Sequence, residues 1–144
     1  MWLIIYNYTP IHLPFFKVKY VQIVRFSQEL QCFRVENHLF QIENHIPWED
    51  LGNGISRQVF GYDERIMLVK AKFEKGAIGE LHEHHHTQVT YVASGVFEAT
   101  IGGKKQIINQ GDGFYVPPNV IHGCICLEPG TLIDSFTPHR EDFL

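Results

Sequence analysis

Histidine side chains are concentrated in one short stretch of this chain. His82, His84 and Gln88 lie in it, and His122 follows after a segment rich in glycine and proline. Imidazole nitrogens and amide oxygens are ligands that divalent transition metals accept. If the fold brings His122 to the histidine run, four neutral donors converge on one divalent ion. Such a set leaves a coordination position open for substrate, which distinguishes a catalytic metal from a structural one.

Short apolar runs rich in β-branched residues follow Pro47, with glycine and proline between them. They predict an all-β domain, because no long stretch keeps a helical period. Gly102-Gly103 favours a tight hairpin, since both central positions of such a turn need positive φ, and Ser94-Gly95 predicts another turn. Strands this short and numerous close most economically as a sandwich or jelly-roll barrel. The predicted strands are Ile55–Phe60, Ile66–Phe73, Ile78–His82, Gln88–Ala93, Val96–Ile101, Gln106–Asn109, Phe114–Val116, Ile121–Leu127 and Thr131–Phe136.

These elements must bring the metal ligands together. The strand that ends at His82 has to bend and return as the strand that begins at Gln88, while His122 approaches from a distant strand. The residues before His122 are suited to the tight turn that this approach requires. They are Gly111, Gly113, Pro117, Pro118 and Asn119.

The chain as a whole has 144 residues, which suits one folded domain. Its formal net charge of -4 argues against nucleic-acid binding, which generally requires a basic surface. The spacing of Cys32, Cys124 and Cys126 does not indicate a disulfide framework, so a reducing cytoplasm is predicted. The apolar start at Met1 is interrupted by Pro10 too early for a spanning helix, and we expect neither a signal peptide nor a membrane anchor.

The first residues differ from the rest in composition. Positive side chains exceed negative ones over residues 1–40, whereas the remainder is acidic. We therefore divide the chain into an N-terminal extension, residues 1–39, and a folded domain, residues 40–144. The extension is interpreted as an added strand pair, a partner-binding arm, or translated upstream sequence, and its composition does not choose among them.

Two motifs resemble those of the cupin superfamily. The first cupin motif, G-x5-H-x-H-x3-4-E-x6-G, is matched at every spacing, although a glutamine occupies its glutamate position. The second, G-x5-P-x-G-x2-H-x3-N, is matched with an asparagine for its inner glycine and a cysteine for its final asparagine. The resemblance implies a single-domain cupin barrel with one bound metal. The matching residues are Gly76, His82, His84, Gln88 and Gly95 in the first motif, and Gly111, Pro117, Asn119, His122 and Cys126 in the second.

The glutamine at position 88 has a chemical consequence. Three imidazoles and one amide leave the +2 charge of a divalent ion uncompensated by the protein. Such a site favours an anionic ligand and disfavours oxidation of the metal, which argues for Lewis-acid or substrate-orienting chemistry. The metal itself is not specified, and nickel, zinc, iron and manganese are all candidates, since selection depends on supply.

A second group of candidate residues lies near the C terminus. Strand alternation places Leu132, Asp134 and Phe136 on one face. Burying a carboxylate on a barrel-facing strand is costly unless it is paired, hydrogen-bonded or has a shifted pKa, so Asp134 is a candidate general acid/base. Arg140 could bind a substrate carboxylate through two parallel hydrogen bonds from its guanidinium. From the residues alone, a structural ion pair or a plain surface tail is the favoured alternative for Asp134 and Arg140.

Residues 47–58 and the ending 133–144 resemble those of the KdgF family of pectin-degradation cupins, and the similarity extends over residues 40–144. This implies an isomerase- or hydratase-type enzyme that converts 4,5-unsaturated uronate monosaccharides to linear keto-uronates. It implies that Asp134 moves protons, Phe136 forms an apolar wall and Arg140 binds the substrate carboxylate. A homodimer is expected by analogy. The alternatives are a cupin dioxygenase and a non-catalytic sugar- or metal-binding cupin.

Several other residues leave more than one interpretation open. His85 and His86 match no ligand position and are either exposed loop residues, which we favour, or supports behind the ligands. Cys124 and Cys126 share the face of His122, where small apolar fillers are more common than ligands. Thr90 and Val92 share the parity of Gln88, whereas Val89 and Tyr91 should face the opposite layer. Arg57 and Gln58 are candidates for recognition, for a dimer edge or for a solvent-facing role.

Overall fold

The computed structural model describes residues 38–144, so the predicted extension lies outside the described residues except for its last two positions, and Cys32 lies outside them as well. This part of the chain forms eight strands and two short 3-10 helices, which confirms the all-β prediction. The helices are Glu43–His45 and Glu141–Phe143. The strands are β1 Glu49–Gly52, β2 Ile55–Asp63, β3 Ile66–Phe73, β4 Ile78–His82, β5 Thr87–Ile101, β6 Lys104–Asn109, β7 Gly113–Val116 and β8 His122–Thr137.

The two long strands, β5 and β8, are antiparallel partners in one hydrogen-bonded network of eight strands, and each runs through both of the sheets into which this network folds. Residues 87–92 of β5 pair with residues 132–137 of β8, and this sheet is completed by β7 on one side and by β3, β2 and β1 on the other. Residues 96–101 of β5 pair with residues 122–128 of β8, flanked by β6 and β4. Strands that pass from one sheet to another at a bulge form the corners of a β-sandwich.

The Ser94-Gly95 pair lies at this corner, and the prediction of a turn there was wrong. Strand β5 continues through both residues, with register shifts on either side of Ser94. Gly95 has a φ of 85°, and a Cβ built on it would lie 2.6 Å from the Cα of Gly130 in β8. Glycine is therefore required by the close approach of two backbones, not by a chain reversal.

The Gly102-Gly103 hairpin between β5 and β6 is confirmed. Both glycines have positive φ, 55° and 78°, and Ile101 pairs directly with Lys104. Strand β1 was not predicted, because its sequence, Glu-Asp-Leu-Gly, has none of the β-branched residues that mark a strand.

The predicted alternation of faces is also confirmed on β5 and β8. Thr90 and Val92 are buried, whereas Val89 and Tyr91 are about half exposed. The interior between the sheets divides into two clusters of buried apolar residues. The first contains Ala77, Val92, Phe97, Ala99, Ile108, Cys124, Cys126 and Leu132, and the second contains Val59, Met67, Val69 and Phe136. Asp134 lies on the same inward face as these side chains.

Candidate metal centre

Three histidines converge at the end of the sandwich where β4 finishes and β8 begins. His82 and His122 are direct partners in the antiparallel pairing of β4 with β8. His84 lies in the loop that leads from β4 to β5. One potential ligand atom from each of the three lies within 4.8 Å of the others. The convergence that the motif spacing predicts is therefore present in the fold.

The turn before His122 helps to hold this arrangement. The backbone N–H of Asn119 donates a hydrogen bond to the carbonyl oxygen of His84 at 2.8 Å. Asn119 has a φ of 60°, in the left-handed region that asparagine tolerates better than most residues. This explains how asparagine can occupy the glycine position of the second motif.

Each imidazole directs the same ring nitrogen toward the centre. The Nδ1 atoms of His82 and His122 lie 2.8 Å from the carbonyl oxygens of Glu80 and Val120. The Nδ1 of His84 lies 3.1 Å from the carbonyl of His86. Since a carbonyl can only accept, every Nδ1 carries the proton and every Nε2 keeps a free lone pair. Metal-ligating histidines are commonly oriented in this way.

Gln88 presents its amide oxygen to the same centre. Its Oε1 lies 3.0 Å from Nε2 of His84 and 3.1 Å from Nε2 of His122. Its Nε2 donates to Thr90 Oγ1 at 3.0 Å and to Asp134 Oδ1 at 3.1 Å, which fixes the orientation of the amide. An oxygen and two unprotonated nitrogens then face one another without a proton between them. Together with the ring nitrogen that His82 directs to the same centre, these atoms fit a divalent transition metal, which would convert a repulsive arrangement of acceptors into a ligand set.

Burial favours the neutral form of two of these histidines, His122 and His84. It lowers the pKa of His122 to about 4, with smaller contributions from the charges of neighbouring histidines. Burial also lowers the pKa of His84, and the positive charge of Arg140 adds to that effect. Neutral imidazole is the form that can bind a metal, and these two histidines are in that form at neutral pH.

Asp134 lies directly behind the amide of Gln88. Its Oδ1 also accepts a hydrogen bond of 2.5 Å from the hydroxyl of Thr90, while no hydrogen bond to its Oδ2 is recorded within residues 38–144. Burial raises the pKa of Asp134 to about 6, and the hydrogen bonds from Thr90 and Gln88 limit that rise. Both protonation states are therefore accessible near neutral pH, as general acid/base catalysis requires.

Phe136 and Arg140 lie beside the histidines. The Phe136 ring meets the His84 ring edge to face, with centroids 5.7 Å apart, and the Arg140 guanidinium lies 5.5 Å from the Phe136 centroid. Arg140 donates from Nε and Nη2 to the two carboxylate oxygens of Asp142, at 2.9 and 2.7 Å. The ion pair that forms is with Asp142 and not with Asp134, a partner that the sequence did not suggest.

Phe143, the residue before the last of the sequence, was not predicted to contribute. Its ring centroid lies 4.3 Å from the guanidinium of Arg140 and 4.0 Å from that of Arg57. Arg57 also pairs with Glu49 through a hydrogen bond of 2.6 Å. Gln58 is fully buried and donates to the carbonyls of Glu43 and Ile46, so its role is structural. Phe143 carried no sequence signal, because it depends on a short helix that only packing defines.

The two remaining histidines of the run differ from each other. His85 is exposed, as predicted, but His86 is buried, so the preferred interpretation of an exposed loop residue was wrong for His86. Cys124 and Cys126 are buried in the first apolar cluster, where they act as small fillers, and neither belongs to the convergent histidine group. No helix in residues 38–144 is long and apolar enough to cross a membrane.

Comparisons with known proteins give a consistent result. Residues 69–140 match the sequence profile of the family described as "Cupin domain". The chain is 46% identical over 105 residues to the pectin degradation protein KdgF of Dickeya dadantii, which covers 72% of this chain and 96% of that protein. An RmlC-like cupin from Shewanella frigidimarina matches with a TM-score of 0.74 and 42% identity, covering 75% of this chain and 97% of the other. KdgF from Halomonas sp. matches with a TM-score of 0.72 and 37% identity, covering 75% and 100%.

Proposed function

This chain belongs to the cupin family and, within it, to the KdgF family, and from that premise we propose that it is a metal-dependent enzyme that opens and linearises 4,5-unsaturated uronate monosaccharides to keto-deoxyuronates. The relative from Dickeya dadantii is named for pectin degradation, which supports a role in the breakdown of uronate polymers. The observation that carries the proposal is the hydrogen bond from Gln88 to Asp134, because it joins a neutral metal-binding set to a buried, titratable carboxyl group.

The residues that would hold the metal are His82, His84, Gln88 and His122. A divalent ion bound there would supply Lewis-acid polarisation of a substrate oxygen and a positive charge that the protein ligands do not neutralise. Arg140 adds a second positive charge nearby. The site therefore favours a small anionic sugar over a neutral one.

Asp134 would move the proton. Since its Oδ1 already accepts from Thr90 and Gln88, Oδ2 is the oxygen that can hold and release a proton. In the hydration route, the proton goes to C4 of the C4=C5 enol ether, a water oxygen adds to C5, and the proton lost by that water returns to the carboxylate. Breaking the C5–O5 bond then leaves a ketone at C5. Loss of water from the hydrate at C1 gives the aldehyde, so the net reaction is an isomerisation.

Phe136 and Arg140 would hold the sugar in place. Phe136 offers an apolar surface beside His84. The guanidinium of Arg140 donates its Nε N–H and one Nη2 N–H to Asp142. Within residues 38–144, Nη1 donates no hydrogen bond. The remaining N–H groups are available to a carboxylate. Two of them along one edge of the planar guanidinium can donate to both carboxylate oxygens.

The direct test follows the alkene absorbance of unsaturated monomer generated by a pectin or alginate lyase. Protein loaded with nickel, zinc, iron or manganese should accelerate its decay relative to chelator-treated protein and to the free metal. No acceleration with any of the four metals would reject the proposal. Because the reaction is an isomerisation, an oxygen electrode should record no consumption during turnover, and consumption would indicate a dioxygenase instead. Binding of the monomer without turnover would indicate a non-catalytic cupin.

A further inference from the structure

His86 is a buried histidine of the run that is not a member of the convergent group, although its ring lies 5.3 Å from that of His84. Only 5% of its surface is exposed, whereas its neighbour His85 is exposed. The Nε2 of His86 lies 3.1 Å from the carbonyl oxygen of His139. This contact links the loop that carries His84 to the residue that immediately precedes Arg140.

The direction of this hydrogen bond follows from its acceptor. A carbonyl cannot donate, so Nε2 of His86 carries the proton and Nδ1 does not. That Nδ1 is buried and has no hydrogen-bond partner within residues 38–144. Burying an unpaired acceptor is unfavourable, and an apolar side chain could fill the same space without that cost. Filling space therefore does not account for a histidine here, whereas the bond to His139 does.

The side chain of His139 makes a contact of its own with strand β2. Its ring stacks on that of Tyr62, with centroids 5.9 Å apart and planes inclined by 27°. Arg140 then extends toward Phe136, with its guanidinium paired to Asp142. Since Asp142 belongs to the same C-terminal segment, that ion pair would move together with Arg140. The bond from His86 is a tie between this segment and the loop of the metal centre.

We propose that His86 is a positioning residue that places Arg140 for the carboxylate of the substrate. The inference rests on the proposed function, because it assigns Arg140 to the anionic group of a uronate. His86 does not touch the substrate in this role. It fixes the backbone from which Arg140 projects relative to the loop that carries His84. Small displacements of a positioned group have large kinetic effects, so one hydrogen bond at this point can control substrate capture.

The test uses full-length, metal-loaded protein carrying His86→Leu or His86→Gln, with His85→Leu as the matched control. His86→Leu should raise KM for the unsaturated monomer about tenfold and leave kcat and the metal content by elemental analysis close to wild type. His86→Gln should recover most of the loss, because its amide N–H can reach the His139 carbonyl. His86→Asn, whose shorter amide cannot reach it, serves with His86→Gln if the leucine variant does not fold. His85→Leu should behave as wild type.

A double-mutant cycle with Arg140→Met identifies the route of the effect. If His86 acts through Arg140, His86→Leu should have no further effect on KM in the Arg140→Met background. Additive effects would overturn the inference, as would loss of metal from His86→Leu or an equal effect of His85→Leu.

A binding measurement separates this inference from the proposed function. Calorimetry with D-galacturonate and with D-galactose measures how much the carboxylate contributes to affinity. The preference for galacturonate should fall in His86→Leu as it falls in Arg140→Met. If wild-type protein shows this preference but no turnover, the proposed function fails. The positioning role is then decided by whether His86→Leu loses the preference as Arg140→Met does. If wild-type protein turns over the unsaturated monomer but shows no preference for galacturonate, the positioning role fails and the proposed function stands.

Discussion

Gln88 Nε2 donates a hydrogen bond to Asp134 Oδ1 at 3.1 Å, from the same amide whose oxygen faces His84 and His122. An amide is planar, so a rotation that removed its oxygen from the histidines would also break its bond to the carboxylate. The proposed metal ligands and the proposed proton-transfer group are therefore oriented by one side chain. A glutamate at this position could not do the same, because it has no N–H to donate.

Replacing Gln88 by glutamate is expected to impair turnover while preserving metal binding. The new carboxylate would face Oδ1 of Asp134, and two such groups share a proton instead of ionising independently. Turnover should fall about 100-fold, within the range that acid/base catalysis contributes. The measurements are the alkene-decay rate and metal retention during titration with a chelator. Wild-type turnover by Gln88→Glu would contradict the role assigned to the amide.

Asp134→Asn separates proton transfer from binding. The asparagine oxygen can still accept from Thr90 and Gln88, so the local hydrogen bonds survive, but the group no longer titrates. Turnover should fall by about 10²- to 10⁴-fold, whereas the affinity for the monomer should change only modestly. Steady-state kinetics and calorimetry on the same preparation measure the two effects. Asp63→Asn, at the exposed end of β2, is the control, and a comparable loss there would invalidate the comparison.

Removal of one convergent histidine should abolish metal-dependent stabilisation. A metal that binds only the folded chain stabilises it by about 2.7 kcal/mol at a free concentration 100 times its Kd. Zinc or nickel added to chelator-stripped wild-type protein should therefore raise Tm, and His84→Ala should lose this increase. His85→Ala should retain it, because His85 is exposed and outside the convergent group. An increase that persists in His84→Ala would indicate a site elsewhere.

Sequence periodicity was sufficient to predict which side chains of β5 and β8 face the interior, because alternation along a strand is a local property. Motif spacing was sufficient for the convergence of His82, His84 and His122. It was not sufficient for the burial of His86 or for the Arg140–Asp142 pair, since both depend on how the C-terminal segment packs against a loop distant in sequence. Gly95 was misread for a related reason: glycine signals an unusual backbone, but only the pairing with β8 shows whether that backbone turns or continues.

The buried thiols give a prediction about pH. Burial raises the pKa of Cys124 to about 12 and also raises that of Cys126. The thiols of the unfolded chain have pKa values of about 8.5. Above that pH the unfolded chain loses protons that the folded chain keeps, so the free energy of unfolding should fall as pH rises.

Urea unfolding of a Cys32→Ser variant at pH 8 and pH 10 measures this decline, which should reach about 2 kcal/mol for a thiol that stays protonated. Adding Cys124→Ala and Cys126→Ala should flatten the dependence, since the remaining titratable groups are unchanged. Equal declines in the two backgrounds would show that the thiols do not cause it.

Gly95→Ala should be among the most destabilising single-methyl additions in the sheet. Its φ of 85° penalises any side chain, and the new Cβ would lie 2.6 Å from the Gly130 Cα and 2.7 Å from the Glu128 carbonyl oxygen, both backbone atoms. Gly103→Ala is the matched control, because it has a similar φ of 78° and no atom within 4 Å of its Cβ. The control should cost about 1–2 kcal/mol for its backbone conformation alone.

Gly95→Ala should exceed that cost by at least about 1–3 kcal/mol, the usual penalty for overpacking. Urea unfolding of the two variants isolates the contribution of the close approach, since the penalty from φ is common to both. Equal losses would mean that β5 and β8 can separate at the corner without cost. Because Asp134 lies on β8 four residues beyond Gly130, such a result would also mean that this corner does not fix its position relative to Gln88.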